Sequence, residues 1–135
     1  MAKIERFEDI DAWKAARALA GNVYSLSAKG LFSRDFGLRD QIRRAAVSVM
    51  SNVAEGFERG GDKEFLQFLS LAKASCAEVR SHLYIALDQE YVTPQQLEEL
   101  KAQTETLSKM LAGFMSYLRK SEYRGNKLRQ TSDPK

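Results

Sequence analysis

A chain of 135 residues is long enough for a single domain that buries about two-thirds of its unfolded surface, so neither a metal nor a disulfide is required to hold it together. Its lone cysteine, Cys76, excludes an intrachain disulfide and gives no sign of an oxidising compartment. A net charge of +3 is too small to imply a nucleic-acid partner by itself.

In chain order, the opening MAKIERFEDID carries acids and bases where a leader peptide would be apolar. No apolar run comes near the roughly 20 residues that a membrane span requires. A cytoplasmic protein without membrane contact is the expectation. A first helix is predicted from about Asp9, its N-cap, to Ser27, with Ile10, Trp13, Ala16, Leu19, Ala20, Val23 and Leu26 on one face. Gly21 inside it costs about 1 kcal/mol relative to alanine, which implies close contact with a neighbouring helix. A second helix is predicted to start within Ser33–Gly37 and to end at Glu55, with Gly56 at the C′ position. Asp62 is placed as the cap of a third, which runs to about Gln89 on a stripe of Phe65, Phe68, Leu69, Ala72, Cys76, Val79, Leu83 and Ala86.

The fourth start is the clearest. Thr93-Pro94-Gln95-Gln96 supplies an N-cap threonine, a proline at the first helical position and a glutamine at the third, with Val92 and Leu97 as a hydrophobic staple. Leu97, Leu100, Thr104, Leu107, Leu111, Phe114 and Leu118 then step at heptad spacing, the pattern of bundle packing. Short connections make neighbouring helices antiparallel. The fold class is therefore all-α, an antiparallel up-down four-helix bundle over residues 1–120, followed by a basic flexible C-terminal tail, 121–135. From Tyr117 onward six basic residues face two acidic ones, so this segment is +4 and the remainder is −1.

Catalytic constellations are missing from the sequence. Di-metal bundles need Glu-x-x-His motifs, whereas His82 is the only histidine and Glu78 lies four residues before it. One cysteine and one histidine cannot supply a zinc site. Cys76 and His82 stand about 240° apart round one helix, which separates a nucleophile from its base. Gly60-Gly61 lacks the lysine and hydroxyl residue of a phosphate loop. No enzyme activity and no cofactor are expected; Cys76 reads as a core residue and His82 as a helix-surface or capping residue.

The second helix is the unusual one. Gln41, Arg44, Ser48, Asn52 and Glu55 form a narrow polar stripe, while Ile42, Ala45, Ala46, Val47, Val49, Met50, Val53 and Ala54 sweep roughly 200°, about twice the stripe of an ordinary surface helix. Each helix of a lone bundle has two close neighbours, so this arc points to burial against a second copy of the chain. The alternative is a helix central in its own bundle whose alanines widen the arc. The polar stripe reads as a structural network or subunit interface, joined by Glu64, Ser75 and Glu78 of the third helix, with Asp40–Arg44 and Glu55–Arg59 as ion pairs. A solvated face and a ligand-reading surface are the alternatives.

The segments DQIRRAAVSVMSNVAEG (Asp40 to Gly56), KEFLQFLSLAKASCAEV (Lys63 to Val79) and FEDIDAWKAARALAGNVY (Phe7 to Tyr24) resemble the four-helix-bundle proteins encoded in intervening sequences of bacterial 23S ribosomal RNA genes. Gln41, Arg44, Ala45, Ser48, Asn52, Ala54, Glu55 and Gly56 sit in register with that family, as do Phe65, Ala72, Ser75 and Glu78. Ser33 stands where proline is common, and Cys76 where leucine is usual. The resemblance implies a bundle that in some relatives forms a homopentameric ring, and association with RNA or the ribosome. It extends to the accessory variability proteins of diversity-generating retroelements, which act with a reverse transcriptase.

The function expected is that of a non-enzymatic homo-oligomer associated with RNA or the ribosome. Candidate nucleic-acid contacts are Arg39, Arg43 and Arg59 around the second helix and Arg119, Lys120, Arg124, Lys127 and Arg129 near the C-terminus. The alternative is a protein-interaction scaffold or accessory subunit for a nucleic-acid enzyme such as a reverse transcriptase.

Overall fold

Four helices, α1 (Asp11–Ser27), α2 (Phe36–Glu58), α3 (Asp62–Asp88) and α4 (Pro94–Ser132), make up most of the computed structural model, which describes the backbone of residues 4–132 and the side chains of residues 4–121. Consecutive helices pack side by side and α4 returns against α1, which closes an antiparallel up-down ring around one core. Leu19, Ile42, Val49, Leu69, Leu83, Leu107 and Leu111 are fully buried there, one apolar stripe from each helix.

The helix starts follow local chemistry. The Asp35 carboxylate accepts from the Leu38 N–H through Oδ1 (3.1 Å) and from the Tyr91 hydroxyl through Oδ2 (3.0 Å). One side chain thus caps α2 and ties it to the α3–α4 connection, where Tyr91 also stacks on Phe32. The capping box at α4 forms as predicted: the Gln96 N–H donates to Thr93 Oγ1 (3.1 Å) and the Thr93 N–H to Gln96 Oε1 (2.9 Å). Thr93→Ala is expected to lose about 1 kcal/mol of stability. Urea unfolding should show a lower midpoint at an unchanged slope.

Several sequence expectations are corrected. Asp9 closes a short 3-10 turn (Phe7–Asp9), and Ile10 is the N-cap of α1. Gly61, not Asp62, is the N-cap of α3, and no side chain caps that end. Met115 takes the buried position of the α4 seam, while Phe114 is half-buried against Phe65 with ring centroids 5.2 Å apart. The one-residue shift arises because the 3.6-residue turn drifts out of a strict heptad over a long helix.

The glycine roles are reversed. Gly21 is exposed, and a Cβ there would meet nothing within 4 Å. Gly56 is not a C′ residue, because α2 continues to Glu58 and the reversal comes at Gly60 with φ of 84°. A Cβ at Gly56 would lie 2.8 Å from Phe65 Cδ1 and 2.8 Å from Phe68 Cβ, so the absent side chain lets α2 and α3 approach. Overpacking costs about 1–3 kcal/mol against a helix-propensity gain of ~1 for Gly→Ala. Gly56→Ala is thus expected to be net destabilising by up to about 2 kcal/mol, and Gly21→Ala to be stabilising by up to about 1. Thermal melts of the pair should shift in opposite directions.

The apolar arc of α2 is covered mostly within its own subunit. Ile42, Ala45, Ala46, Val49 and Val53 are buried between α1 and α3, Met50 and Ala54 are half-buried, and Val47 alone of that set is exposed, at 37%. Small alanines let two neighbours cover more circumference than larger side chains would allow.

Candidate nucleic-acid and subunit interfaces

Ser48, Asn52 and Ser75 form a half-buried knot between α2 and α3. The Ser75 hydroxyl donates to Ser48 Oγ (3.0 Å), and Asn52 Nδ2 donates to Ser48 Oγ (2.9 Å) and to the Ser48 carbonyl (2.8 Å). Three short polar side chains at the seam satisfy one another and fix the register of the two helices. The rest of the predicted stripe lies outside this knot. Gln41 and Arg44 are exposed. Asp40 pairs with Arg39 (3.0 Å) rather than Arg44, because the guanidinium of Arg39 is already held nearby by the Ser33 carbonyl. Glu78 faces His82 Nε2 at 3.8 Å rather than Arg44, the i,i+4 spacing on one helix being shorter than the reach across. Glu55 pairs with Arg59 (2.9 Å) as expected, and Arg59 also approaches Glu64 (4.0 Å).

The three arginines around α2 are engaged within the subunit. Arg39 lies over the Phe36 ring at 4.8 Å, and Arg59 over Phe68 at 5.2 Å. Arg43 reaches the last turn of α1: its Nε–H donates to Ser27 Oγ (2.8 Å), its Nη2 to the Tyr24 carbonyl (3.4 Å), and the guanidinium covers the Tyr24 ring at 4.6 Å. A cation at a helix C-terminus complements both the free carbonyls and the dipole. Arg43→Gln is therefore expected to lower stability by about 1–2 kcal/mol, measured by chemical denaturation, rather than to act first on RNA affinity.

The C-terminal basic residues are placed differently. α4 has 39 residues and its antiparallel neighbour α3 has 27. At about 1.5 Å per residue, α4 overruns the start of α3 by roughly 18 Å. Arg119 and Lys120 are exposed at the root of that overrun. Arg124, Lys127 and Arg129 fall on its helical backbone, and their side chains lie outside the described residues. The segment read as a tail from 121 is helical as far as Ser132.

Two further surfaces carry no clear signal in the sequence. Along the outside of α3, the exposed positions from Gln67 to Ile85 include Ser70, Leu71, Ala74, Ala77, Ser81 and Tyr84, and among the exposed residues of that stretch only Lys73 and Glu78 are charged. Leu71 is 53% exposed. At one end of the bundle, a cavity of about 500 Å³ opens between the α2–α3 turn and α4, lined by Ile4, Gly56, Phe57, Gly60, Gly61, Asp62, Phe65, Phe114, Tyr117 and Leu118. Its walls come from four separate stretches of chain, which is why no local motif announces it.

Cys76 is buried in the core, where desolvation pushes its thiol up to about 11 against the smaller opposing effect of the Arg80 charge. It is a packing residue. His82 is half-buried, and its Nδ1 has no partner among the described residues. Among the described residues, no three His, Cys, Asp or Glu side chains cluster as metal ligands, and no helix is long and apolar enough to cross a membrane.

These features define an all-α bundle distinguished by its surfaces: a polar seam, a sparsely charged α3 face and a helix that outruns its neighbours. The chain belongs to the family of 23S rRNA-intervening sequence proteins, whose family model matches residues 8–113. A crystal structure of a protein of unknown function from the S23 ribosomal protein family of Bacteroides thetaiotaomicron is similar to it in fold, with a TM-score of 0.70 at 20% identity over 77% of this chain and 97% of that one. No curated protein matches the chain. The family match stops before Arg119, so the basic overrun lies outside the matched residues.

Proposed function

We propose that this chain is a non-enzymatic, homo-oligomeric protein of the cytoplasm that associates with RNA or the ribosome. The carrying observation is the overrun of α4, a helix that outlasts its bundle and holds most of the basic excess of the chain. A projecting cationic helix presents charge to phosphates without interference from the near-neutral body, and repetition in an oligomer strengthens the field. Copy-to-copy contact is supported by the sparsely charged outer face of α3 together with Val47 of α2. Five copies is the stoichiometry that the family resemblance supports.

Fluorescence anisotropy with a labelled structured RNA tests the nucleic-acid part. The expected result is binding at low salt that weakens as salt rises; affinity no better than that of a neutral helical bundle would overturn it. The same α3 face also supports a second reading, an accessory subunit that holds a nucleic-acid enzyme such as a reverse transcriptase. A partner retained in a pull-down after nuclease treatment would favour that reading over the first.

A further inference from the structure

We propose that the end cavity receives the base of an unpaired RNA nucleotide, so that the protein prefers single-stranded RNA to duplex. This rests on the RNA-binding reading above and assigns it a site. The cavity, at about 500 Å³, falls within the ~300–1,000 Å³ range of small-molecule sites. Phe57, Phe65, Phe114 and Tyr117 supply aromatic walls. Tyr117 stands perpendicular to Phe114 (centroids 6.4 Å apart, 90°) and is 59% exposed, so it is not stacked flat on that neighbour. Gly60 and Gly61 also line the cavity; they have no side chains, and a Cβ at either would meet nothing within 4 Å. Asp62 is among the lining residues, and its carboxylate is the acceptor nearest in sequence to the two glycines for the N–H groups of a base edge.

Charge selects the occupant. Lys120 stands one turn beyond Tyr117 on the same side of α4 and is exposed, and from Tyr117 onward the chain is +4 while the remainder is −1. A base seated on Tyr117 would bring its phosphates to that rim. An apolar peptide would match the walls and leave the cations unmatched. Aromatic stacking beside a basic track is the mode by which unpaired bases are held, and a duplex cannot offer its stacked bases to it.

The test is anisotropy of the full chain with a labelled single-stranded RNA of mixed sequence and with a blunt-ended duplex of that same strand and its complement, at matched salt. Tyr117→Ala removes the platform, and Gly61→Leu fills the opening from a second direction; thermal melting identifies whichever variant is folded. The expected result is single strand bound about tenfold or more tighter than the blunt-ended duplex, with a loss on the order of 5- to 100-fold for the single strand in a folded variant, the range of one stacked base. Equal affinity for the two RNAs, or wild-type single-strand affinity in a folded variant, overturns the cavity assignment and leaves the RNA reading standing. No affinity for either RNA at low salt overturns both.

Discussion

Replacing Arg119, Lys120, Arg124, Lys127 and Arg129 together with glutamine is expected to abolish most of the salt dependence of RNA binding while leaving the melting temperature unchanged. If all five cations meet phosphates of a single strand, the slope of log K against log salt is about −3.5, and wild-type affinity falls about a hundredfold between 50 and 200 mM salt. The variant should give a nearly flat line. Stability should hold because Arg119 and Lys120 are exposed and α4 overruns α3 beyond them. The contrast with α2 is informative. Arg39, Arg43 and Arg59 are each held by carbonyls, carboxylates or aromatic rings of the same subunit, so their substitution should show first in stability.

If copies of the chain meet through the outer face of α3, as proposed, the double substitution Leu71→Glu and Ala74→Glu is expected to leave monomers without unfolding the chain. Both positions are exposed in the single subunit, so the charges cost little there. Against another copy they would have to be desolvated unpaired, which is far more costly than any contact they replace. Light scattering should fall to the 15.3 kDa of one chain while circular dichroism keeps its helical signature. A similar pair of charges at Arg44 and Ser51 on α2 is expected to be milder, since that face already carries Asp40, Glu55 and Glu58.

The bundle was readable from the sequence because each helix carries its own period and, at α4, its own start signal. Thr93-Pro94-Gln95-Gln96 forms a local motif whose partners are three residues apart, and it appears as written. The roles of Gly56 and Gly21 are not legible in the sequence because a glycine has two uses, ending a helix or admitting a neighbour, and only the tertiary approach of Phe65 and Phe68 decides between them. The polar stripe of α2 was visible, but which of its members meet across the seam depended on helix rotation. Ser48, Asn52 and Ser75 meet; Arg44 and Glu78 take other surroundings. Arg43 looked like a surface cation and is a clamp on α1, a relation that spans 16 residues and has no sequence signature. The width of the apolar arc on α2 overstated its exposure, since alanine counts as apolar but needs little cover. The outer face of α3 has no signature in the sequence for the opposite reason: serine and alanine are ordinary helix residues until they stand together on an exposed surface.

Size-exclusion chromatography with light scattering, on the full chain mixed with a structured RNA at low salt, reaches both halves of the proposal in one run. The expected result is a single peak whose mass comprises several copies of the chain plus RNA, and which separates into its components as salt is raised. A 15.3 kDa species eluting apart from the RNA at every salt concentration would contradict it.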